Sequence, residues 1–350
     1  MRIWITQNIP AEKWDSYVLS HKDSEIFHLS VWKEILQKSF GYTPYYIVAT
    51  DSSGKLTGVL PLMYVRSRLT GTRLVSLPFS YVCGPLADSK EVMFKLIHAA
   101  IDLSRKKKCD YLEIKLRNHE PTLLEAGLVE NNSYNTYVLD LKREEHEIWE
   151  HFHKSCVQRA IKKAIREKIQ IRLSSLRNGI TSFHYLNILT AKKHGTPPQP
   201  LAFFNLIQHY LEPHGLVKLF LAYYHGNPIA AAIFFVFQKK IYYMYGASNP
   251  KYLRYRPNQL LMWEAIKWAQ KGGFELFDLG RVFKADTNLA RYKIHWGATQ
   301  RELHYYYWPK VKGIETVGRQ SIKLRMITRC LRSLPPRLLE KGALLYKHLG

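Results

Sequence analysis

The chain has 350 residues, 46% of them hydrophobic, which suits two packed domains of ordinary size. Its formal net charge of +24 favours a polyanionic partner such as RNA, an anionic membrane face or a nucleotide-linked substrate, with a merely soluble basic surface as the equal alternative. Four scattered cysteines argue against a disulfide framework or a zinc site. The longest apolar run, Ile229 to Phe237, is too short to cross a bilayer, and no secretion signal is expected, so we predict a cytoplasmic protein.

The first part of the chain predicts a hairpin followed by a helix and a short strand. Strand-like residues run from Pro44 to Asp51 and, after a Ser-Ser-Gly turn, from Lys55 to Val65. A helical pattern covers Glu91 to Lys108, and a strand is expected from Asp110 to Lys115. A further helix is expected from Val31 to Ser39.

The same order returns later in the chain. Strands are predicted for Leu219–Tyr224, Pro228–Gln238 and Ile241–Tyr245, then a helix for Pro257–Lys271 and a strand for Glu275–Leu279. This repetition indicates a duplicated domain, each copy an α+β or α/β sheet flanked by helices, with a boundary near residue 140. The remaining predicted helices are His146–Phe152, Cys156–Lys168, Gly179–His194 and Ala202–Leu211.

Residues 310–350 form a basic tail that we predict to be helical. It holds ten Lys or Arg residues against Glu315 and Glu340. An apolar stripe alternates with basic positions, as in an amphipathic helix that rests on anionic lipid, and a short last helix is expected after Pro335-Pro336. A helix that packs on the protein with a solvated basic face is the alternative. The stripe residues are Val317, Leu324, Ile327 and Leu331.

Several short motifs occur in a fixed order between Ile26 and Trp308. Those in the first half are Ser30-Val31-Trp32, Phe40-Gly41 and Gly58-Val59-Leu60-Pro61-Leu62. Those in the second half are Lys193-His194-Gly195 followed by Pro200, the run from Ile241 to Ser248, Phe277-Asp278-Leu279-Gly280 and Tyr292-Lys293-Ile294-His295-Trp296-Gly297. In this order and spacing the chain resembles the Fem family of peptidoglycan-bridge aminoacyltransferases and their relatives with a BioF2-like acetyltransferase domain. The first half looks like the branch found near exopolysaccharide and protein-sorting systems.

The resemblance implies two acetyltransferase-like (GNAT-like) domains in tandem, residues 1–140 and 141–309, each a mixed, mostly antiparallel sheet flanked by helices, followed by the tail. It also implies an acceptor held between the domains, an aminoacyl-tRNA donor and a lysine-type amine acceptor on a cell-wall precursor. The chain departs from several family members at Leu36, where they have a substrate-binding lysine. Lys38 is the candidate replacement.

Lys293 is the first catalytic candidate, because the family motif has a lysine at this place. Direct attack of an amine on an acyl carbonyl produces an oxyanion, which a fixed ammonium stabilises. Tyr292, at the family's aromatic position, would orient the donor. Without the motif, Lys293 would be interpreted as a surface lysine between packed aromatic residues.

Asp278 and Arg281 are expected just after a buried strand, where a carboxylate can accept a proton or orient the amine; an ion pair between the two is the equal alternative. Strand alternation predicts that Tyr243 and Tyr245 share one face, either lining the substrate site or packing in the core. Trp296, His194 and Asn258 complete the predicted substrate-binding set.

The turn from Asn249 to Asn258 lacks the glycine-rich segment with which ordinary acetyltransferases bind the pyrophosphate of coenzyme A. Arg254 and Arg256 are predicted to bind donor phosphate instead. Seven basic residues between Lys154 and Arg172, including Arg159, Lys162 and Lys163, would bind RNA phosphates or form a solvated helix face. These departures favour tRNA over coenzyme A as the donor carrier.

We therefore predict an acyl- or aminoacyltransferase that acts on an amine of a cell-envelope, peptidoglycan or exopolysaccharide precursor. It would use no metal and no tightly bound cofactor, and it would bind no DNA. The donor is aminoacyl-tRNA or an acyl-CoA. Two alternatives remain: a CoA-dependent N-acetyltransferase of a sugar amine, and a noncatalytic membrane- or RNA-binding protein with the same fold. Contact of residues 310–350 with the inner membrane face is a further expectation.

Overall fold

A computed structural model describes residues 1–67, 71–310, 328–329 and 331–348. The described chain divides into two units. Unit 1 contains residues 1–67, 71–134, 302–310 and 347–348, and unit 2 contains residues 135–301, 328–329 and 331–346. The chain passes from unit 1 to unit 2 after Tyr134 and back to unit 1 after Arg301, and both points lie inside strands. The domain limits at residues 140 and 309 are a prediction from the sequence.

Unit 1 is built on a mixed sheet in the order β1-β2-β3-β4-β6-β13, with β5 beside β3. Strands β1 to β4 are antiparallel neighbours, whereas β4 and β6 run parallel. The predicted hairpin is confirmed as β2 and β3, with Tyr46 opposite Pro61. The strands are β1 Arg2–Thr6, β2 Thr43–Thr50, β3 Leu56–Ser67, β4 Gly71–Val75, β5 Leu86–Ala87, β6 Tyr111–Leu116, β7 Val129–Asp140 and β13 Thr299–Trp308, the last two shared with unit 2.

The core of unit 1 lies between this sheet and the predicted helix after it. That helix, α3, runs from Lys90 to Lys106 and begins at Ser89, whose hydroxyl accepts a hydrogen bond from the Val92 amide at 3.2 Å. Its apolar stripe, including Leu96 and Ile97, is buried against strand side chains such as Leu60. The other helices of unit 1 are α1 Ala11–Ser20, α2 Ser30–Phe40 and α4 Pro121–Glu125.

Unit 2 has a sheet in the order β7-β12-β11-β10-β9-β8. Strands β8 to β11 are antiparallel, and β11 and β12 are parallel. The ladder between β11 and β12 joins only Lys240–Tyr242 to Leu276–Asp278, although both strands continue beyond it. The strands are β8 Gln170–Ser174, β9 Val217–Tyr224, β10 Asn227–Phe237, β11 Lys240–Ser248 and β12 Leu276–Phe283.

Helices cover both faces of the sheet in unit 2. Phe220 and Ala222 of β9 belong to the cluster that buries the apolar side of α9, whereas Leu219 and Leu221 alternate with them and approach α7 at Gly179. The helices are α5 Glu145–His151, a π-helical turn Lys154–Gln158, α6 Arg159–Arg166, α7 Leu176–His194, α8 Leu201–Leu211, α9 Pro257–Lys271 and α10 Thr287–Ile294. The predicted helix from Cys156 is therefore two segments.

The two units share one connection pattern. In each, three antiparallel strands lead into a long helix and then into a strand parallel to the third: β2-β3-β4-α3-β6 in unit 1 and β9-β10-β11-α9-β12 in unit 2. This repetition confirms the predicted α+β class and the duplicated arrangement of acetyltransferase-like sheets. The predictions missed α1, α4, α10 and the strands β1, β4, β5, β8 and β13.

The described part of the tail packs on unit 2. Leu331 and Leu339 are buried with Ile188 and Ala191 of α7. The short helix expected after the two prolines is confirmed as α11, Pro336–Lys341. The stripe residues Val317, Leu324 and Ile327 lie outside the described residues. No helix among the described residues has both the length and the apolar character needed to span a bilayer.

Candidate active site

Asp278 lies in the interior of β12, at the point where the ladder with β11 ends. Its Oδ1 accepts hydrogen bonds from the Thr136 hydroxyl at 2.7 Å and from the Gly280 amide at 2.8 Å, and the residue has no solvent exposure. The expectation that Asp278 emerges just after the strand is wrong, because β12 continues to Phe283. A carboxylate this buried is placed to orient its neighbours rather than to meet a substrate.

Gly280, two residues after Asp278, has the left-handed backbone conformation that favours glycine, with φ +81°. A Cβ added there would lie 3.4 Å from the Tyr243 carbonyl oxygen and 3.8 Å from Lys293 Nζ. The carboxylate of Asp278 holds the Gly280 amide, and the Gly280 carbonyl oxygen accepts a hydrogen bond from Lys293 Nζ at 2.7 Å. Backbone and side chains thus form one connected polar group.

Lys293 is a buried lysine, only 6% exposed, in the last turn of α10. Its ammonium donates to the carbonyl oxygens of Gly280 at 2.7 Å and Arg281 at 3.4 Å and lies 5.9 Å from the centre of the Tyr137 ring. Burial lowers the pKa of Lys293 from 10.5 to about 8; Asp278 opposes this shift and Arg281 adds to it. An ammonium has three N–H donors, of which these two carbonyl bonds use two.

A cavity of about 460 Å³ adjoins this helix in unit 2. It is lined by four cationic side chains and, among its lining residues, by no acidic one. Its wall includes the start of α9, whose positive dipole end also favours an anion. The lining residues are Ser155, Cys156, Arg159, Ala160, Lys163, Arg256, Gln259, Asn288, Arg291, Tyr292 and His295.

Three of the five predicted phosphate-binding residues line this cavity: Arg159, Lys163 and Arg256. The other two do not. Arg254 is exposed, lies over the Tyr255 ring and donates to its hydroxyl at 2.6 Å, whereas Lys162 lies 6.0 Å from the Trp149 ring centre. In place of a glycine-rich turn, residues Pro250–Tyr255 form a 3-10 helix, and α9 begins with Pro257.

Sequence reasoning missed Arg291 and His295, which line the cavity from α10 and the residue after it. A signal for both was present. They stand two residues before and two residues after Lys293, and a helical spacing of four residues places them on one face. Tyr292, predicted beside the donor, does line the cavity and packs against Trp296 at 6.5 Å between ring centres.

The expectation that Tyr243 and Tyr245 share one face is wrong. A β-bulge at Met244 breaks the alternation, so that Phe234 of β10 lies opposite Tyr243 and Ile233 opposite Tyr245. Tyr243 packs on Phe234, towards the core shared with α9. Tyr245 packs against Phe203 and Phe204 of α8 on the other side, and burial raises the pKa of both phenols.

The other predicted substrate-binding residues are dispersed. Trp296 is fully buried and packs edge-on against Phe152, and its role in substrate binding stays a prediction. His194 is exposed at the end of α7 and Asn258 is partly buried near Ser248. Arg281 is exposed on β12.

The acceptor-side candidates in unit 1 lie on α2. Lys38 is exposed and pairs with Glu34 at 4.0 Å, whereas Leu36, at the position of the family's lysine, has no solvent exposure. Helix α2 therefore exposes Lys38, two residues after the position at which several family members have their lysine.

Residues 153–293 match the model of the acetyltransferase (GNAT) domain, a range that ends on Lys293. A curated relative, the UDP-N-acetylmuramoylpentapeptide-lysine N(6)-alanyltransferase of Weissella viridescens, is 24% identical over 132 residues, 38% of this chain. That match spans 39% of the relative's own length.

Two solved structures share the whole arrangement. The crystal structure of FemX superposes with a TM-score of 0.68 at 16% identity, over 87% of this chain and 97% of that one. The tandem GNAT protein from the clavulanic acid biosynthesis pathway gives 0.56 at 9% identity, over 87% of this chain and 98% of that one. The matched GNAT domain at residues 153–293 and the two solved structures agree on a fold of tandem GNAT-like sheets, and part of the chain is similar in sequence to the Weissella alanyltransferase.

Proposed function

We propose that this protein transfers an aminoacyl group from tRNA to the amine of a cell-envelope precursor. The observation that carries the proposal is the buried ammonium of Lys293, fixed by two backbone carbonyls of β12 in a GNAT-type sheet. A buried, already oriented cation stabilises a developing oxyanion without reorganising, which is how such groups lower barriers to acyl transfer. Its third N–H is the donor that would contact the oxyanion.

The reaction would proceed by direct attack. The neutral acceptor amine forms a C–N bond to the ester carbonyl carbon, and the carbonyl electrons move to oxygen, which Lys293 stabilises. The oxyanion then collapses and the C–O bond to the ribose breaks. The proton lost by the amine ends on the ribose hydroxyl. Tyr292 would orient the donor, and Asp278 would act as a positioning residue through Gly280.

The donor's phosphates would occupy the cavity in unit 2. Arg159, Lys163, Arg256 and Arg291 supply positive charge on its wall, and each is suited to a phosphate oxygen. The amide-rich cradle that suits the pyrophosphate of coenzyme A is missing at the start of α9, where Pro257 has no N–H to donate. This difference favours a tRNA 3′ end over coenzyme A.

An acyl-CoA donor is the second candidate, because the matched domain model is that of an acetyltransferase. In that case the leaving group is a thiol, and the acceptor would be a sugar amine.

The acceptor proposed for the tRNA-dependent reaction is taken from the Weissella relative, whose name specifies a lysine side-chain amine on a muramoyl pentapeptide. An exopolysaccharide precursor is the alternative acceptor. Arg281, exposed on β12 of unit 2, is the proposed contact to the acceptor, and the basic tail would favour an approach to anionic lipid.

The test measures both binding and transfer. Purified protein is incubated with radiolabelled alanyl-tRNA, uncharged tRNA or acetyl-CoA at 150 mM salt, with and without UDP-linked muramoyl pentapeptide. We expect retention of the charged tRNA above the uncharged one and label transferred to the pentapeptide, lost in Lys293→Met but kept in the control Lys251→Met, an exposed lysine. Equal, salt-sensitive retention of both tRNAs without transfer would overturn the tRNA proposal. Transfer from acetyl-CoA alone would establish the second candidate.

A further inference from the structure

Three side chains in unit 1, none of them used in the proposed reaction, converge on a single point. They are His119, which follows β6, Glu130 on β7 and His304 on β13. Their ligand atoms all lie within 4.8 Å of one another. His119 Nδ1 is 3.0 Å from Glu130 Oε1, and His304 Nδ1 is 2.7 Å from the same oxygen. Glu130 and His304 are mostly buried, with side chains 18% and 14% exposed.

Hydrogen bonding alone accounts poorly for this convergence. The Tyr306 hydroxyl also lies 3.1 Å from Glu130 Oε1, so three donor groups approach one carboxylate oxygen. A carboxylate has about four acceptor positions spread over two oxygens, or about two on each. Three donors on one oxygen exceed that number, whereas a cation bound by the carboxylate and by the two neutral imidazoles would replace the two hydrogen bonds from histidine.

The spacing also fits a metal. Bonds of about 2.1 Å to nitrogen and oxygen place neighbouring ligands at right angles about 3.0 Å apart, and tetrahedral ligands somewhat further. The separation of 3.0 Å equals the first value and that of 2.7 Å is shorter, so the ligands would move apart by a few tenths of an ångström around a bound ion. Two imidazoles and a carboxylate are the ligand set of several zinc sites that keep one position open.

The Tyr306 hydroxyl supports the Glu130 carboxylate, as hydrogen-bond partners commonly support the groups that bind a metal. The Glu120 amide donates to the Tyr306 hydroxyl at 2.8 Å, and this hydroxyl in turn reaches Glu130. Such outer partners fix the orientation of a ligating group. Strands β7 and β13 are neighbours in the sheet and hold two of the three ligands on rigid backbone.

The other convergent trio of histidine and cysteine ligands, His153, Cys156 and His295 in unit 2, is a poorer metal site. Cys156 and His295 line the cationic cavity together with Arg159, Lys163 and Arg291, and those charges oppose a bound cation. That environment suits an anion, as argued above.

We propose that His119, Glu130 and His304 form a site for a divalent transition metal of the zinc class, with Tyr306 positioning the carboxylate. The site ties β7, β13 and the segment after β6 together and leaves one coordination position open to water or a small ligand. It is independent of the proposed transfer chemistry.

The test uses the full chain, freed of metal with a chelator and titrated with Zn²⁺ and with Co²⁺ at pH 7.5. To silence the second trio, the reference protein carries His153→Gln and Cys156→Ser. We expect one Zn²⁺ per chain, a visible Co²⁺ absorption and a higher thermal unfolding temperature with metal. His304→Gln or Glu130→Gln should weaken binding more than about 100-fold, and Tyr306→Phe about 10-fold.

Matched controls are Glu125→Gln, an exposed carboxylate in α4, and His98→Gln, a histidine on α3. Both should bind Zn²⁺ as the reference does. Circular dichroism of the metal-free variants verifies that each is folded. No saturable binding in the reference protein, or unchanged affinity in folded His304→Gln, would overturn the proposal.

Discussion

Among the described residues, each unit buries one lysine against backbone carbonyls, and the two lysines have different surroundings. In unit 1, Lys115 on β6 is 3% exposed and donates to the carbonyl oxygens of Leu77 at 2.7 Å and Ser80 at 2.9 Å, with Glu113 at 3.7 Å. In unit 2, Lys293 has two carbonyls and an aromatic ring, and burial lowers its pKa to about 8.

Lys115 has a structural role, whereas Lys293 is the proposed catalytic lysine. A buried ammonium with a carboxylate beside it and carbonyls on its donors is fully satisfied, so Lys115 stabilises the chain segment from Leu77 to Ser80. The ammonium of Lys293 has two carbonyl partners and the more distant charge of Asp278, and burial still lowers its pKa. An ammonium kept in that state is available to a developing negative charge.

The largest expected effect comes from removing the charge in unit 2. Lys293→Met should reduce the rate of transfer by about 100- to 1,000-fold, the range for losing one oxyanion donor. The free energy of unfolding should fall less than for the corresponding change in unit 1, Lys115→Met, because the desolvation cost of burying the Lys293 ammonium offsets part of the loss of its two carbonyl hydrogen bonds. Single-turnover transfer and calorimetry measure the two quantities. A Lys293→Met protein that keeps its rate would remove the distinction between the lysines.

The reverse result is expected in unit 1. Lys115→Met leaves two buried carbonyls and Glu113 without their partner, which should lower the free energy of unfolding by about 3 kcal/mol. Urea unfolding followed by circular dichroism measures this change. The per-molecule transfer rate of the folded fraction should stay within about twofold, since Lys115 lies outside the proposed chemistry. A stable but inactive Lys115→Met protein would contradict this interpretation.

The transfer rate should depend on pH through the protonation state of Lys293. Only protonated Lys293 stabilises an oxyanion, so transfer should decline as pH rises above about 8, the lowered pKa. Arginine remains charged in this range, so Lys293→Arg, if active, should lose this alkaline decline. Rates in a series of buffers from pH 6 to 10 test both, and an identical decline in the two proteins would assign it to another group.

The free energy of unfolding should change with pH in the opposite direction to the transfer rate. The unfolded chain binds the lysine proton up to about pH 10.5, whereas the folded chain releases it near 8. Between these values the unfolded state holds more protons, so the stability of the protein relative to Lys293→Met should rise with pH.

A smaller effect is expected from the cavity. Arg159→Ala combined with Lys163→Ala should weaken donor binding about tenfold and reduce the salt dependence by about 0.7 per lost phosphate contact. Lys162→Ala is the matched control, because Lys162 belongs to the same helix but lies over Trp149. Filter retention at several salt concentrations compares them. Equal losses in both proteins would show that the helix attracts RNA only through its general charge.

The sequence predicted most of the long elements, because their apolar periodicity is strong. The hairpins β2-β3 and β9-β10 and the helices α3, α7 and α9 were found within a few residues. Short elements were missed: α10 has eight residues, ends in a charged turn and buries little besides Lys293, so its pattern is weak.

The site was only partly predictable. Lys293 and Tyr292 were found through the family motif, and Arg159, Lys163 and Arg256 through charge. The error at Tyr243 and Tyr245 arose from one bulge, which no period-two pattern reveals. The proposed zinc ligands are 11 and 174 residues apart along the chain, and pairing of distant strands brings them together without a local motif.

The hydroxyl of Thr136 and the ring of Tyr137 have a consequence for protein engineering. Both belong to β7, upstream of the region that matches the acetyltransferase domain, and they contact Asp278 and Lys293. A fragment cut at His153 on the basis of that match, or at residue 141, would keep the lysine but lose both neighbours. Transplanting the proposed site into another scaffold would require β7 as well, since Lys293 and the side chains of Thr136 and Tyr137 come from separate parts of the chain.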